Sequence, residues 1–155
     1  MLEVGDKIPA FTAVDDAGRR RTSKEILAKP LVLYFYPKDD TPGCTSEAAQ
    51  FRDEYAKFQR QGVEIVGVSK DGAASHQRFK EKYGIPFPLL ADEEKSLIEA
   101  FGVLVEKNMY GKKSLGVQRS TFLIDTKGVV RAAWPRVKVD GHAADVLETI
   151  STALR

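Results

Sequence analysis

Leu31-Val32-Leu33-Tyr34-Phe35-Tyr36 runs directly into Pro37-Lys38-Asp39-Asp40-Thr41-Pro42-Gly43-Cys44, and this stretch decides the fold. An unbroken apolar run of this length is what a strand buried on both faces of a parallel sheet requires. Two prolines and a glycine then end the strand and shape a loop. Beyond it, Cys44, Ala48, Phe51, Tyr55 and Phe58 follow one another at steps of four, three, four and three, which puts them on one face of a helix. Gln61-Gly62 offers that helix a C-terminal stop. Val63-Glu64-Ile65-Val66-Gly67-Val68 reads as a second buried strand. Strand, loop, helix and strand in this order predict a parallel crossover.

The flanking segments extend the pattern. Phe11 to Val14 predicts a short strand closed by the turn Asp15-Asp16-Ala17-Gly18, and Thr22 with Glu25 has the spacing of a capping box on a short helix. Ser75 to Tyr83 predicts a helix ended by Gly84 and Pro86. Pro88-Leu89-Leu90-Ala91 predicts a strand, and Glu94 to Phe101 a further helix with Leu97, Ile98 and Phe101 inward. Ser120 to Ile124 and Val129 to Trp134 flank Asp125-Thr126-Lys127-Gly128 as a hairpin. Ala143, Leu147, Ile150 and Leu154 sit at helical spacing. The expected class is α/β: a mixed central sheet with helices on both faces, in a single domain over residues 1–155.

Composition excludes several functions. The net charge is +2, too small for a nucleic-acid footprint, and Arg19-Arg20-Arg21 and Lys112-Lys113 read as solvated charge among turn residues. No apolar run is long enough for a membrane span. Met1 to Asp6 lacks a basic segment followed by an apolar one, so a cytoplasmic protein is expected. One cysteine rules out an internal disulfide and a cysteine-rich zinc site. His76 and His142 lie far apart and read as surface or capping residues. No metal or cofactor is expected. Trp134, Tyr110 and Met109 read as packing or a pocket rim.

Cys44 falls in the first turn of a helix, just after the C-terminal end of a buried strand, where ligands gather in open α/β sheets. Unpaired N–H groups and the positive end of the helix dipole favour a thiolate there. Glu47 is ordinary for a helix start, although its charge opposes a thiolate. Thr41-x-x-Cys44 has the spacing of the redox motif Cys-x-x-Cys with threonine in place of the first cysteine. A hydroxyl there suits a peroxide oxygen or the thiolate. The bland alternative is a buried cysteine acting as a small hydrophobe. An apolar core site has no need of Thr41, two prolines and a glycine beside it.

With these residues in view, the sequence resembles the peroxiredoxins. Pro37, Thr41 and Cys44 match the family pattern Pro-x-x-x-Thr-x-x-Cys. Tyr34-Phe35-Tyr36-Pro37-Lys38-Asp39, Ser75-His76, Phe87-Pro88-Leu89-Leu90-Ala91-Asp92, Glu106-Lys107, Tyr110-Gly111-Lys112, Arg119-Ser120-Thr121-Phe122-Leu123-Ile124-Asp125, Val137-Lys138-Val139 and Gly141-His142 resemble the peroxiredoxin Q, or bacterioferritin comigratory, group. The resemblance covers nearly the whole chain. It implies a thioredoxin-like fold and reduction of hydrogen peroxide and organic hydroperoxides in antioxidant defence. In it Cys44 takes the place of the peroxidatic cysteine and Thr41 that of the threonine that bonds peroxide and thiolate. Pro37 takes that of the proline shielding the pocket, and Arg119 that of the arginine stabilising thiolate and transition state. The group's resolving cysteines fall where this chain has Ala49 and Lys80, so a one-cysteine cycle is expected. The reductant is then an external thiol such as thioredoxin or glutaredoxin with glutathione, and the chain is expected as a monomer or weak homodimer.

A magnitude shows what such a site must supply. A free thiol with a pKa of about 8.5 is already roughly 3% ionised at pH 7, so full ionisation gains only about thirty-fold, or roughly 2 kcal/mol. The rest must come from holding both peroxide oxygens while charge moves between them. Two other readings compete. A thiol transferase on the same fold is disfavoured by the missing Cys-x-x-Cys, and a non-catalytic thioredoxin-like module would leave Cys44 as slow as a free thiol.

Overall fold

The computed structural model describes residues 1–154, apart from the side chain of Met109. Strand β3 (Leu31–Phe35), helix α2 (Pro42–Arg60) and strand β4 (Glu64–Ser69) form the expected unit. β3 and β4 pair in parallel, with Leu31 opposite Glu64 and Phe35 opposite Val68. On its other edge β3 pairs antiparallel with β8 (Ser120–Ile124), so only one of its neighbours is parallel. Every residue of β3 and β8 is buried, which explains why both read as unbroken apolar or small segments.

The sheet has seven strands in the order β2-β1-β5-β4-β3-β8-β9. The others are β1 (Thr12–Asp15), β2 (Arg20–Thr22), β5 (Leu89–Ala91) and β9 (Val130–Trp134). β5 pairs parallel with β4 and antiparallel with β1, while β1–β2 and β8–β9 are antiparallel. Alternation along β3 divides the core. Val32 and Tyr34 join Phe51 and Phe58 of α2, Phe79 of α3 (Ala73–Tyr83), and Val146 and Ile150 of α5 (His142–Ala153). Leu31, Leu33 and Phe35 join Ile26 of α1 (Ser23–Ile26) and Leu97 and Ile98 of α4 (Ser96–Ala100). Helices cover both faces of a mixed sheet, as expected.

Local chemistry explains the boundaries. Thr22 Oγ1 accepts from the Glu25 amide and so caps α1, but the Glu25 carboxylate accepts from that same hydroxyl rather than from the Thr22 amide, so only half of the expected capping box forms. α4 starts two residues later than expected because Asp92 caps it from a distance: its carboxylate accepts from the amides of Leu97 and Ile98.

Three expectations change. β6 (Leu104–Met109) and β7 (Lys112–Val117) form a separate two-stranded sheet that the sequence did not predict. Lys112 and Lys113 therefore stand on a strand, and Arg20 and Arg21 likewise lie on β2, with Arg21 paired to Asp15. Tyr110 is neither packing nor a pocket rim: at the hairpin tip, with φ 53° before Gly111 at 77°, it is 99% exposed. The expectation that Met109 packs or rims a pocket falls outside the described side chains. No helix among the described residues is long and apolar enough to cross a membrane.

Candidate active site

The end of β3 and the start of α2 place the cysteine. Pro37 follows the strand, partly exposed, and Thr41 is the extended residue before the helix, at φ −102° and ψ 156°. The Thr45 amide donates to the Thr41 carbonyl at 2.8 Å and opens the helix. Thr41 does not cap it with its side chain; the hydroxyl donates back to the Lys38 carbonyl at 2.8 Å. Pro42 has no N–H, and the amides of Gly43 and Cys44 have no partner among the described residues. Two free donors and the positive end of a long helix thus meet beside the cysteine.

Cys44 is 1% exposed and belongs to the core cluster of Tyr34, Tyr36 and Phe51. Burial alone fits the small-hydrophobe reading; the partner does not. Arg119, between β7 and β8, donates from Nη2 to Cys44 Sγ at 3.4 Å and from Nη1 to Glu47 Oε1 at 2.7 Å. Its backbone carbonyl takes the Val137 amide at 3.0 Å, which ties the arginine's base to the segment after β9. Gly43 makes the approach feasible: a Cβ there would lie 3.0 Å from Nη2.

Glu47 lies one turn beyond Cys44 on the same helical face and is 1% exposed, with Oε2 unpaired among the described residues. Burial pushes its carboxyl up to about 7, against the pull of Arg119. Near neutral pH its opposition to a thiolate is therefore weaker than a full negative charge would give. Burial works to lower the Arg119 pKa, but Glu47 and then Cys44 outweigh it and leave it raised. The Tyr34 hydroxyl, also buried and unpaired, is raised well above the usual tyrosine range by burial, then by Glu47 and Cys44.

The structure brings Cys44 and Arg119 together and sets Thr41 and Pro37 on the loop that precedes them. Gly43 and Glu47 complete the cluster; sequence reasoning missed their roles, although the three-residue step from Cys44 to Glu47 was a usable signal. The histidines are corrected. His76 is 0% and His142 4% exposed, so neither is a surface residue, and the N-cap of α5 is Gly141, with His142 the first residue of the helix. His142 Nε2 lies 2.7 Å from Thr121 Oγ1, its ring edge-on to Phe51 and Trp134. Burial lowers its pKa to about 4. Ala49 lies on α2, and Lys80 on α3 reaches Asp16 at 3.2 Å.

A guanidinium, two free amides and a helix N-terminus around one sulfur can hold a thiolate and the charge that moves onto a leaving oxygen. Comparison with known proteins agrees with this chemistry. The AhpC/TSA family model matches residues 4–133. A putative peroxiredoxin Bcp from Coxiella burnetii is 51% identical over 146 residues, covering 94% of this chain and 97% of that one. The chain belongs to the peroxiredoxins of the AhpC/TSA family.

Solved structures place this peroxiredoxin in the Q, or Bcp, group. The bacterioferritin comigratory protein of Xanthomonas campestris, described for its alkyl peroxide reduction activity, is 40% identical with a TM-score of 0.90, covering 97% of this chain and 100% of that one. A cysteine variant of Xylella fastidiosa PrxQ is 35% identical with a TM-score of 0.94 over 100% and 99% of the two chains. The peroxiredoxin fold is thioredoxin-like, as expected, and the chain is a thiol-dependent peroxidase.

Proposed function

We propose that Cys44 is the nucleophile of a one-cysteine cycle that reduces hydrogen peroxide and organic hydroperoxides, with Arg119, Thr41 and Pro37 completing the site. The observation that carries the reading is the 3.4 Å contact between Arg119 Nη2 and Cys44 Sγ at the first turn of α2. The thiolate attacks one peroxide oxygen in line with the O–O bond. That bond breaks, the second oxygen leaves as water or alcohol after taking a proton, and Cys44 becomes a sulfenic acid. A first external thiol attacks this sulfur, releases water and forms a mixed disulfide; a second thiol restores Cys44.

Each remaining group has a part. The free amides of Gly43 and Cys44, with the Arg119 guanidinium, hold the peroxide oxygens as charge shifts between them. Thr41 spends its hydroxyl proton on the Lys38 carbonyl, which leaves its lone pairs to accept the O–H of a hydroperoxide. Pro37 shields the pocket from water. The chain works without a cofactor, as a single domain in the cytoplasm, as a monomer or weak homodimer in antioxidant defence. The 51% identity to a Bcp and the alkyl peroxide reduction described for the Xanthomonas protein support the substrate class.

The test supplies thioredoxin, glutaredoxin with glutathione, or a small dithiol separately and follows peroxide consumption. At least one thiol donor sustains turnover, and Cys44→Ser abolishes it while the fold persists. Full activity in Cys44→Ser overturns the assignment.

A further inference from the structure

Asp39 sits in the loop between β3 and α2, two residues before Thr41, yet it is only 7% exposed. Its carboxylate collects three contacts. Tyr36 Oη donates to Oδ1 at 2.6 Å, Ser75 Oγ donates to Oδ2 at 2.8 Å, and His76 Nδ1 lies 2.7 Å from Oδ2. The Asp39 amide donates to Asp71 Oδ2 at 2.9 Å, and Ser69 Oγ, at the end of β4, donates to the same oxygen at 2.6 Å. His76, fully buried on α3, reaches the Leu90 carbonyl of β5 with Nε2 at 2.8 Å. One loop residue is thus tied to β4, α3 and, through His76, β5.

The hydrogens follow from the partners. A carbonyl only accepts, so Nε2 carries a hydrogen. Nδ1 faces a carboxylate oxygen, which only accepts when ionised, so a second proton lies between Nδ1 and Oδ2. A pair buried this deeply costs desolvation and is weak evidence for stability in itself. What it achieves is placement. The adjacent Asp40, held at φ 56°, is tied to α3 as well, by Lys82 Nζ at 2.8 Å and by the Tyr83 hydroxyl.

We propose that Asp39 and His76 are positioning residues for the peroxide step: their contact fixes the loop so that Thr41 and the first-turn amides of α2 stand where the peroxide is held. The inference rests on the reading of Cys44 as the peroxide nucleophile. Neither residue has a contact with the sulfur, so both act through the loop. A displacement near 1 Å in such a site costs on the order of a hundred-fold in rate.

The distinguishing variant is Asp39→Asn. Its amide donates to a neutral His76 Nδ1 and to Ser75 Oγ, and its oxygen still accepts from Tyr36, so every contact survives without the charge. Two rates are measured on folded protein: oxidation of Cys44 by hydrogen peroxide, and its alkylation by the uncharged reagent iodoacetamide. Asp39→Ala and His76→Ala each lower the peroxide rate about a hundred-fold, the double variant is no slower than the slower single, and alkylation does not fall. Asp39→Asn stays within about five-fold of the parent. Tyr36→Phe, which removes one donor and keeps the packing, loses about five-fold and gives a reading should the alanine variants fail to fold. The proposal is overturned by an unchanged peroxide rate in Asp39→Ala, or in Tyr36→Phe where the alanine variants fail to fold. It is also overturned by Asp39→Asn as slow as Asp39→Ala, or by alkylation falling in step with oxidation. A parent chain no faster with peroxide than a free thiol would instead sink the reading of Cys44.

Discussion

Arg119 engages Cys44 and Glu47 with the two ends of one guanidinium, Nη2 at 3.4 Å from the sulfur and Nη1 at 2.7 Å from the carboxylate. A lysine ammonium is a single point charge and cannot span both. Arg119→Lys therefore lowers the rate of Cys44 oxidation by peroxide about a hundred-fold. Arg119→Met lowers it at least as far and destabilises the fold at neutral pH and above, where Glu47 loses the partner that offsets its burial and is driven to take up a proton. Stopped-flow oxidation and chemical denaturation measure the two effects; a fully active Arg119→Lys contradicts the shared-guanidinium account.

Glu47 gives stability a pH dependence of definite sign. Burial holds its carboxyl at about 7 in the folded chain, against an ordinary value of 4.5. The folded state keeps a proton that the unfolded chain releases. The stability from this group is full below pH 4.5 and is lost as pH rises through 7, by about 3 kcal/mol over the window. Glu47→Gln removes that loss, so denaturation of parent and variant between pH 4.5 and 7.5 shows a difference that falls with pH. Parallel curves contradict it.

His142 acts in the opposite direction. Burial, with a smaller contribution from Arg119, lowers its pKa from 6.5 to about 4, although Asp145 pulls the other way. The unfolded chain binds the proton that the folded ring refuses. The stability from this group is full above pH 6.5 and is lost as pH falls through 4. His142→Gln is accordingly less acid-sensitive than the parent between pH 6.5 and 4, as denaturation at a series of pH values reads out.

Gly43 separates stability from activity. Its φ lies outside the left-handed region, so alanine fits the backbone and improves helix propensity by up to about 1 kcal/mol. The added Cβ would lie 3.0 Å from Arg119 Nη2 and displace the guanidinium from the sulfur. Gly43→Ala is expected to keep its stability within about 1 kcal/mol and to lose about ten-fold in peroxide rate. An undiminished rate shows that the guanidinium tolerates the shift.

The β3–α2–β4 unit was legible because its signals are local: an unbroken apolar run, a proline–glycine loop and a helical period from Cys44 to Phe58. β6 and β7 were not, because β7 is exposed from Lys112 to Leu115 and Leu104, Val105 and Lys107 of β6 are only half-buried, so no alternation marks either strand, and Tyr110-Gly111 lacks the asparagine or aspartate that usually marks such a turn. Glu47 could be placed on the cysteine's face, but the arginine that neutralises it comes from 72 residues away. His76 read as a surface residue for the same reason: the aspartate that makes its burial tolerable lies 37 residues earlier. Spacing reports faces of elements, whereas the partner of a buried charge is chosen by the tertiary fold.

The central claim is that the folded site holds the peroxide while its oxygens exchange charge. The most direct test compares the second-order rate of oxidation by hydrogen peroxide at pH 7 in the intact chain with that of a peptide covering residues 37–50. Ionisation alone gains about thirty-fold over a free thiol. The account predicts a ratio far above thirty, and a ratio at or below thirty contradicts it.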